Sequence, residues 1–593
     1  MNNLVKSLIT SVLPIVLILG GGYLAYQYYT QGLEINLDEE KVWLKTYLGR
    51  DPYRLSLWLP DSDNPDLQFS GRLPIWNSQY ALRRKGSLEK LIESIEQASI
   101  SKKDSLSQLH LLHSLQQEIQ RLEAYQTIYP LAPKDGQHIK IEELLLYLHP
   151  IRNGGDCEAY LKRLNQLPQI IQGWESDLLD RAKAERLPHR EVLELNTQQF
   201  MKGAKVAAKA HPIYQSLARR AGQADMVNLD EYTILDFLEQ TEAVLQNGIQ
   251  PALVRLARVC DSLAQLAPQS VCDTDQAFYQ QQLATYSAFE LEPDSLLSLV
   301  EKDVSQWAEL YQTHLGKVPS QDPTFTSSEP ELDKVLEAWF KQRVGIKTIS
   351  RGLVDSLASS RLRLAPNYDH RMSSAEVRYL PADLNQTQRA SRLWVDLNLP
   401  NHWSEDLRTW QTYRWITPGL DLFWSRQLQA GQRPALRRLT PHPAIMEGWA
   451  RYAVYLMDHD LHLIPTRPEL QSIYLERQLK MCLLAWADLR LHHLHQNYDS
   501  VRAELASYFD TPNHGLHSSL EGDLVQVAAA PGQALAAWSG FRFLLELREI
   551  VAAKHPDSFY LQGYHDALLF EGAIHPRLLK EVIPSRYRSI AGE

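Results

Sequence analysis

From Leu8 to Tyr29 the chain reads LITSVLPIVLILGGGYLAYQYY, without one charged side chain. A helix crosses the hydrocarbon core with roughly 20 apolar residues, so this stretch is long enough. Pro14 and the glycines at 20 to 22 weaken a soluble helix but are tolerated in a membrane one. Tyr23, Tyr26, Tyr28 and Tyr29 gather at its far end, Lys6 precedes it, and Glu34, Asp38, Glu39 and Glu40 follow. The basic residues decide orientation and place the N-terminus in the cytoplasm. A cleaved signal peptide is the alternative, but ending it at Ala25 sets Tyr23 where a small residue is required. No cysteine stands near the stretch for a lipoprotein signal. The expectation is an uncleaved single-pass inner-membrane anchor over residues 1–32, with residues 33–593 in the periplasm.

That exported part has the make-up of a folded protein: the chain is 44% hydrophobic and 22% charged. A net charge of -10 over 593 residues is mild and lacks the basic stripe of a nucleic-acid binder. A mean hydropathy of -0.33 excludes a polytopic membrane protein. Four cysteines exclude a disulfide scaffold, and no C-x-x-C pair offers a structural zinc site. Cys260 and Cys272, twelve residues apart, are either a disulfide or two core thiols.

Leu and Ile recur at three- and four-residue spacing through residues 86–129, the period of an amphipathic helix. The pattern returns over 139–149, 155–183, 190–222, 229–267, 294–315 and 330–363, punctuated by Pro130, Pro133, Gly136, Pro188 and Pro293. Two segments break it: EVRYL (376–380) and RLWVDL (392–397) suit strands, with a polar loop between. The pattern predicts a mainly α protein with a small β-sheet inserted among the helices.

Simple catalytic signatures are absent: there is no H-E-x-x-H, G-x-S-x-G, phosphate loop or dinucleotide fingerprint. Among 20 histidines, His459/His462 and His492/His493/His495 are the densest groups. Such neighbours are more often solvated or hydrogen-bonded than metal-binding. More specific are PAIMEGWARYAVYL (443–456), DLRLHH (488–493), APGQALAAWSG (530–540) and YHDALLFEGAIHPRLLKEVI (564–583). In this order they resemble the domain of unknown function 885 family, helical zincin-like proteins proposed as metallopeptidases and distantly similar to Taq-type carboxypeptidases. The resemblance runs over roughly residues 40 to 583 and implies a bilobed zincin-like fold with the small sheet beside a central cleft, in one unit of two possible lobes, about 33–370 and 371–593.

The family's metal motif has the form His-Glu-x-x-Pro-Gly-His-His, with a further ligand from Glu-Gly-Trp-Ala. Anchored on Pro418-Gly419, the resemblance sets Arg414 at the first histidine, Trp415 at the catalytic glutamate, and Leu420 and Asp421 at the histidine pair. Arginine stays protonated and repels a cation; Leu420 has no lone pair, and Trp415 is no base. No His-Glu dipeptide occurs anywhere in the chain. Glu447 of the Glu-Gly-Trp-Ala block remains, and an ion pair with Arg414 is expected where the family holds metal. Pro531-Gly532-Gln533-Ala534-Leu535 is intact, but Ala537 stands at the position of the family's oxyanion-stabilising tyrosine. Asp488, His492, His565 and Asp566 match family positions.

The resemblance thus implies a membrane-anchored pseudopeptidase without catalytic residues, metal or cofactor, whose cleft binds a peptide or an envelope protein. Arg414, Glu447, Asp488, His492, Gln533 and His565 are its binding candidates. One alternative is a hydrolase with a zinc site rebuilt from Asp421, Glu447, His492 and His442; another is a structural subunit of an inner-membrane complex. The tryptophans at 394, 403, 410, 415, 424 and 449 read as core before they read as a ligand wall. Arg389, Arg392, Arg408 and Arg414 read as solvated before they read as a site for an anionic terminus.

Overall fold

The computed structural model describes residues 37–591 except 50, 61–70, 99–104, 222–230, 273, 316–336, 343, 346–351, 355–361, 368–376, 386–388, 397–403, 430–432 and 510–515. The expected membrane helix at 8–29 lies outside the described residues. Among those described, no helix is long and apolar enough to cross a membrane.

The chain is mainly helical, and the local rules are visible at the helix ends. Asn77 opens the helix Ser78–Gln97 by accepting from the Tyr80 amide at 2.9 Å, the usual service of an N-cap. Its buried face, Ala81, Arg84, Leu88, Leu91 and Ile95, follows the three-and-four spacing. The single amphipathic run expected over 86–129 is in fact two packed helices, Ser78–Gln97 and Ser105–Glu123, because the first gives way to extended backbone at Ala98. One continuous apolar core extends from Trp43 to Tyr587. Its tightest seam joins the helices Pro443–His459 and Leu535–Lys554. A Cβ on Gly540 would stand 1.7 Å from the Ala444 carbonyl oxygen, and one on Gly448 2.3 Å from the Gly540 carbonyl carbon. Only glycine at both positions lets these backbones meet.

The sheet has three strands: β1 (Arg363–Asn367), β2 (Val377–Leu380) and β3 (Arg392–Asp396), in the order β1-β3-β2. β3 pairs parallel with β1 and antiparallel with β2, with Trp394 opposite Ala365 and Arg378. The two expected strands are present. β1 is a correction, since its first residue closes the stretch expected to be helical over 330–363. Pro366 hides it in the sequence, yet a proline, lacking an amide hydrogen, is compatible with an edge strand. The central strand buries both faces. Leu393 and Val395 enter a small cluster with Trp339, Leu362, Val377 and Ile416, while Trp394 meets Tyr147 in the main core at 4.3 Å between ring centres.

All four cysteines are buried free thiols, so Cys260 and Cys272 are core residues and not a disulfide. Burial pushes both thiols up to about 12, which keeps them neutral and unreactive.

Candidate functional site

The segment resembling the metal motif forms a helix, a turn and a second helix. Ser404 caps Glu405–Trp415, its hydroxyl accepting from the Leu407 amide at 3.1 Å. Glu405 and Asp406 in the first turn suit the positive end of the dipole. The chain turns through Thr417, Pro418 and Gly419 into the helix Leu420–Gln429. A Cβ on Gly419 would fall 1.9 Å from the Arg414 carbonyl oxygen, so only glycine closes this turn. The Trp449 indole N–H donates to the carbonyls of Pro418 at 2.9 Å and Gly419 at 3.2 Å. Pro-Gly and Gly-Trp, which read as fragments of a catalytic pattern, therefore hold each other in place.

The four motif residues go separate ways. Arg414 stacks on Trp415 (4.3 Å to the ring centre) and Trp410 (5.5 Å), with Nη2 3.7 Å from Glu447 Oε2. The expected contact is present, but Glu447 keeps 43% of its side chain exposed. The pair is therefore worth at most about 1 kcal/mol; it does not rescue a buried carboxylate. The Trp415 indole donates to Gln411 Oε1 at 2.7 Å. Leu420 is in the core. Asp421, 1% exposed, accepts from Ser391 Oγ at 2.7 Å and the Tyr379 hydroxyl at 3.1 Å. It fastens its helix to the sheet, since Ser391 directly precedes β3 and Tyr379 lies in β2.

Asp488, His492 and His565 are also committed to the scaffold. Asp488 Oδ1 accepts from the Tyr279 hydroxyl at 2.7 Å and the Gly532 amide at 2.9 Å. Burial pushes its carboxyl up to about 7, against those donors. Gly532 has φ +80, where a side chain would be strained, and the clamp from Asp488 sets the turn into Leu535–Lys554. His492 meets the Thr274 hydroxyl through Nδ1 (2.7 Å) and the Val527 carbonyl through Nε2 (2.9 Å). His565 meets the Leu353 carbonyl through Nδ1 (2.8 Å) and the Tyr452 hydroxyl through Nε2 (2.9 Å). A carbonyl only accepts, so one nitrogen of each ring donates and the other accepts a hydroxyl proton. Both rings are neutral, and burial holds each down to about 4. Neither has a lone pair left for a metal.

Glu447, Gln533 and Ala537 do converge. With Arg451, Met481 and Tyr286 they line a cavity of about 370 Å³. Ala537 contributes a methyl where the resemblance implies a phenol. Gln533 Nε2 donates to Asp135 Oδ2 at 2.6 Å, tying this wall to the N-terminal half. Beyond it lies a cleft of about 960 Å³, which shares Tyr286 and Pro443 with the smaller cavity. Trp76, Arg121, Lys140 and His442 line the cleft. Arg121 lies over Tyr286 at 5.6 Å and Lys140 near Trp76 at 6.0 Å.

The zinc site rebuilt from Asp421, Glu447, His492 and His442 is not assembled. Asp421 and His492 are spent as described, and among the described residues no group of three His, Cys, Asp or Glu side chains is placed to hold a metal. His442 instead joins a cluster invisible in the sequence. Its ring centre is 5.3 Å from His575, which is 3.9 Å from His113. His110 Nε2 donates to the Thr440 carbonyl at 2.9 Å, and its Nδ1 accepts from the His575 amide at 3.3 Å. Burial holds His110 down to about 3 and His575 down to about 4. The sequence-local histidines are engaged separately: His459 lies 3.6 Å from Asp460, His493 2.8 Å from Asp294, and His495 donates to the Cys272 carbonyl at 3.1 Å.

The arginine expectations also need correction. Arg389 is not solvated but 5% exposed, its guanidinium donating to the carbonyls of Ser56, Leu57 and Pro381. Arg392 lies over Trp394 at 6.0 Å. Trp394, Trp410, Trp424 and Trp449 are buried, in line with the core reading; Trp403 lies outside the described residues.

The family described as "Bacterial protein of unknown function (DUF885)" matches residues 46–583. No curated protein matches the chain. Among solved structures, a crystal structure described as a "putative lipoprotein" from Colwellia psychrerythraea is similar with a TM-score of 0.81 at 16% identity, over 94% of this chain and 100% of that one. A "putative lipoprotein of unknown function" from Shewanella oneidensis gives a TM-score of 0.59 at 14% identity, over 92% and 98% of the two chains. At such identities the likeness is one of fold.

Proposed function

The chain belongs to the DUF885 family of bacterial proteins of unknown function, so its role must be read from its own residues, and we propose a non-catalytic, envelope-associated protein that binds peptide in its cleft. The carrying observation is the fate of the motif positions. Arg414 stacks between aromatic rings against Glu447, Leu420 is core, and Asp421 is consumed by Ser391 and Tyr379. A hydrolytic zinc centre needs neutral imidazoles or carboxylates around an open position and a base for its water. A guanidinium, an indole and an isobutyl group supply none of these, so the residues present do not fit the metal that the resemblance implies.

The cleft itself persists, because helix packing and not metal ligation supplies its walls. Its aromatic and charged lining suits an extended chain with mixed side chains. An envelope setting is supported by the charge-free stretch at 8–29 and by the descriptions of the two structural neighbours. Metal analysis of the purified chain, combined with binding and cleavage assays on a peptide library, tests the proposal. The expected result is peptide binding without turnover, unchanged by a chelator. Stoichiometric zinc with chelator-sensitive cleavage overturns it.

A further inference from the structure

Around the Trp410 ring stand three guanidiniums: Arg477 at 5.4 Å, Arg414 at 5.5 Å and Arg451 at 5.8 Å. Their carboxylates can be assigned. Glu447 takes Arg414 at 3.7 Å, and Glu476 is 4.0 Å from Arg477. Asp523, the remaining acid that acts on Arg451, is already bridged by Lys134 and Lys480. Arg451 is left without an ion pair among the described residues, and its buried Nε has no acceptor. It also lines the 370 Å³ cavity beside Glu447 and Gln533, at the junction with the main cleft.

We propose that this cavity is an anion site, in which Arg451, supported by Arg414, receives a carboxylate of a peptide lying in the cleft. The inference rests on the peptide-binding reading above and names the group on which that binding turns. A partly buried guanidinium with no carboxylate bonded to it is under-satisfied, and its five donors in a planar fork match a carboxylate in bidentate fashion. Burial, and then the neighbouring Arg414, hold the Arg451 guanidinium well below its ordinary range; an arriving anion relieves both. The cavity thus inverts the chemistry that the resemblance implies, with a cationic pocket for an anion at the place of a cation held by anionic and neutral donors. Two sources of carboxylate fit, the chain terminus and an acidic side chain.

The test measures binding of hexapeptide pools to the purified full chain by calorimetry, using pools with free or amidated C-termini, each with and without glutamate. Pools carrying a carboxylate are expected to bind at least about tenfold more tightly than the amidated, glutamate-free pool. Preference for the free terminus identifies the α-carboxylate, and preference for glutamate the side chain. Arg451→Gln is expected to abolish the preference, and Arg451→Lys to keep part of it, with circular dichroism checking that both fold. Glu447→Gln, which removes a competing negative charge, is expected to tighten binding. Equal affinity for all four pools, or an unchanged preference in Arg451→Gln, overturns the anion site while leaving peptide binding intact. If no pool binds, thermal shift with citrate decides separately: stabilisation of the parent but not of Arg451→Gln supports the anion site without the peptide reading, and no stabilisation of either removes both.

Discussion

Asp421 and Glu447 are two carboxylates in segments that resemble one metal site, and they have opposite fates. Asp421 is 1% exposed and accepts two side-chain hydroxyls, so its geometry is fully specified. Glu447 is 43% exposed and makes one long ion pair at a cavity rim. The buried carboxylate has become scaffold, whereas the rim carboxylate remains available to respond to a ligand. The same division separates Asp488, His492 and His565, each saturated by hydrogen bonds, from Arg451, which has no ion pair among the described residues. A residue type and its place in a motif thus say what chemistry is possible; burial and partners say whether any of it is left over.

The largest expected effect tests the scaffold side of this comparison. His110, His492, His565 and His575 are held between about 3 and about 4 by burial, below the unfolded value of about 6.5. The unfolded chain therefore binds more protons than the folded one as pH falls from about 6.5 towards 4. Stability is unpenalised above that window and drops within it, by up to about 1.4 kcal/mol per pH unit for each histidine. Urea titrations at stepped pH are expected to show this steep loss, and a flat profile between pH 6.5 and 4 would contradict the neutral, buried assignments.

Next is the helix seam. Gly540→Ala forces a Cβ to 1.7 Å from the Ala444 carbonyl and is expected to cost about 3 kcal/mol through overpacking, measured by denaturant unfolding. Asp421→Ala strands the Ser391 and Tyr379 hydroxyls, at about 2 kcal/mol; the same measurement on Ser391→Ala should show a smaller loss, since Tyr379 keeps its acceptor. Glu447→Ala is expected to change stability by less than about 1 kcal/mol. A loss comparable to that of Asp421→Ala would erase the contrast between the two carboxylates.

Much of the fold was legible because helix and strand periods are local. The pattern in VRYL and RLWVD marked two strands, while Pro366 concealed their edge partner. The resemblance also brought Arg414 to Glu447, since both positions lie in segments with fixed motif spacing. Arg451 and Arg477 are not marked by the sequence: Arg451 follows Glu-Gly-Trp-Ala at no ligand position, Arg477 lies in none of the matching blocks, and only the packing of three helices around Trp410 assembles them. His110 and His113 share the helix Ser105–Glu123, but His442 and His575 come from two other segments, each more than a hundred residues from the next, and no local period can join the three.

By itself the sequence determined the helical period, the charge-free stretch, and the chemical incapacity of Arg414, Trp415 and Leu420 to bind or use a metal. These are properties of side chains and of their near neighbours along the chain. Only the tertiary structure decided that Asp421 is fastened to a sheet, that Glu447 stays at a cavity rim and that Arg451 faces that cavity without an ion pair. Desolvation and partner supply are set by what the fold brings close in space, and they fix which charges are satisfied and which are left for a ligand.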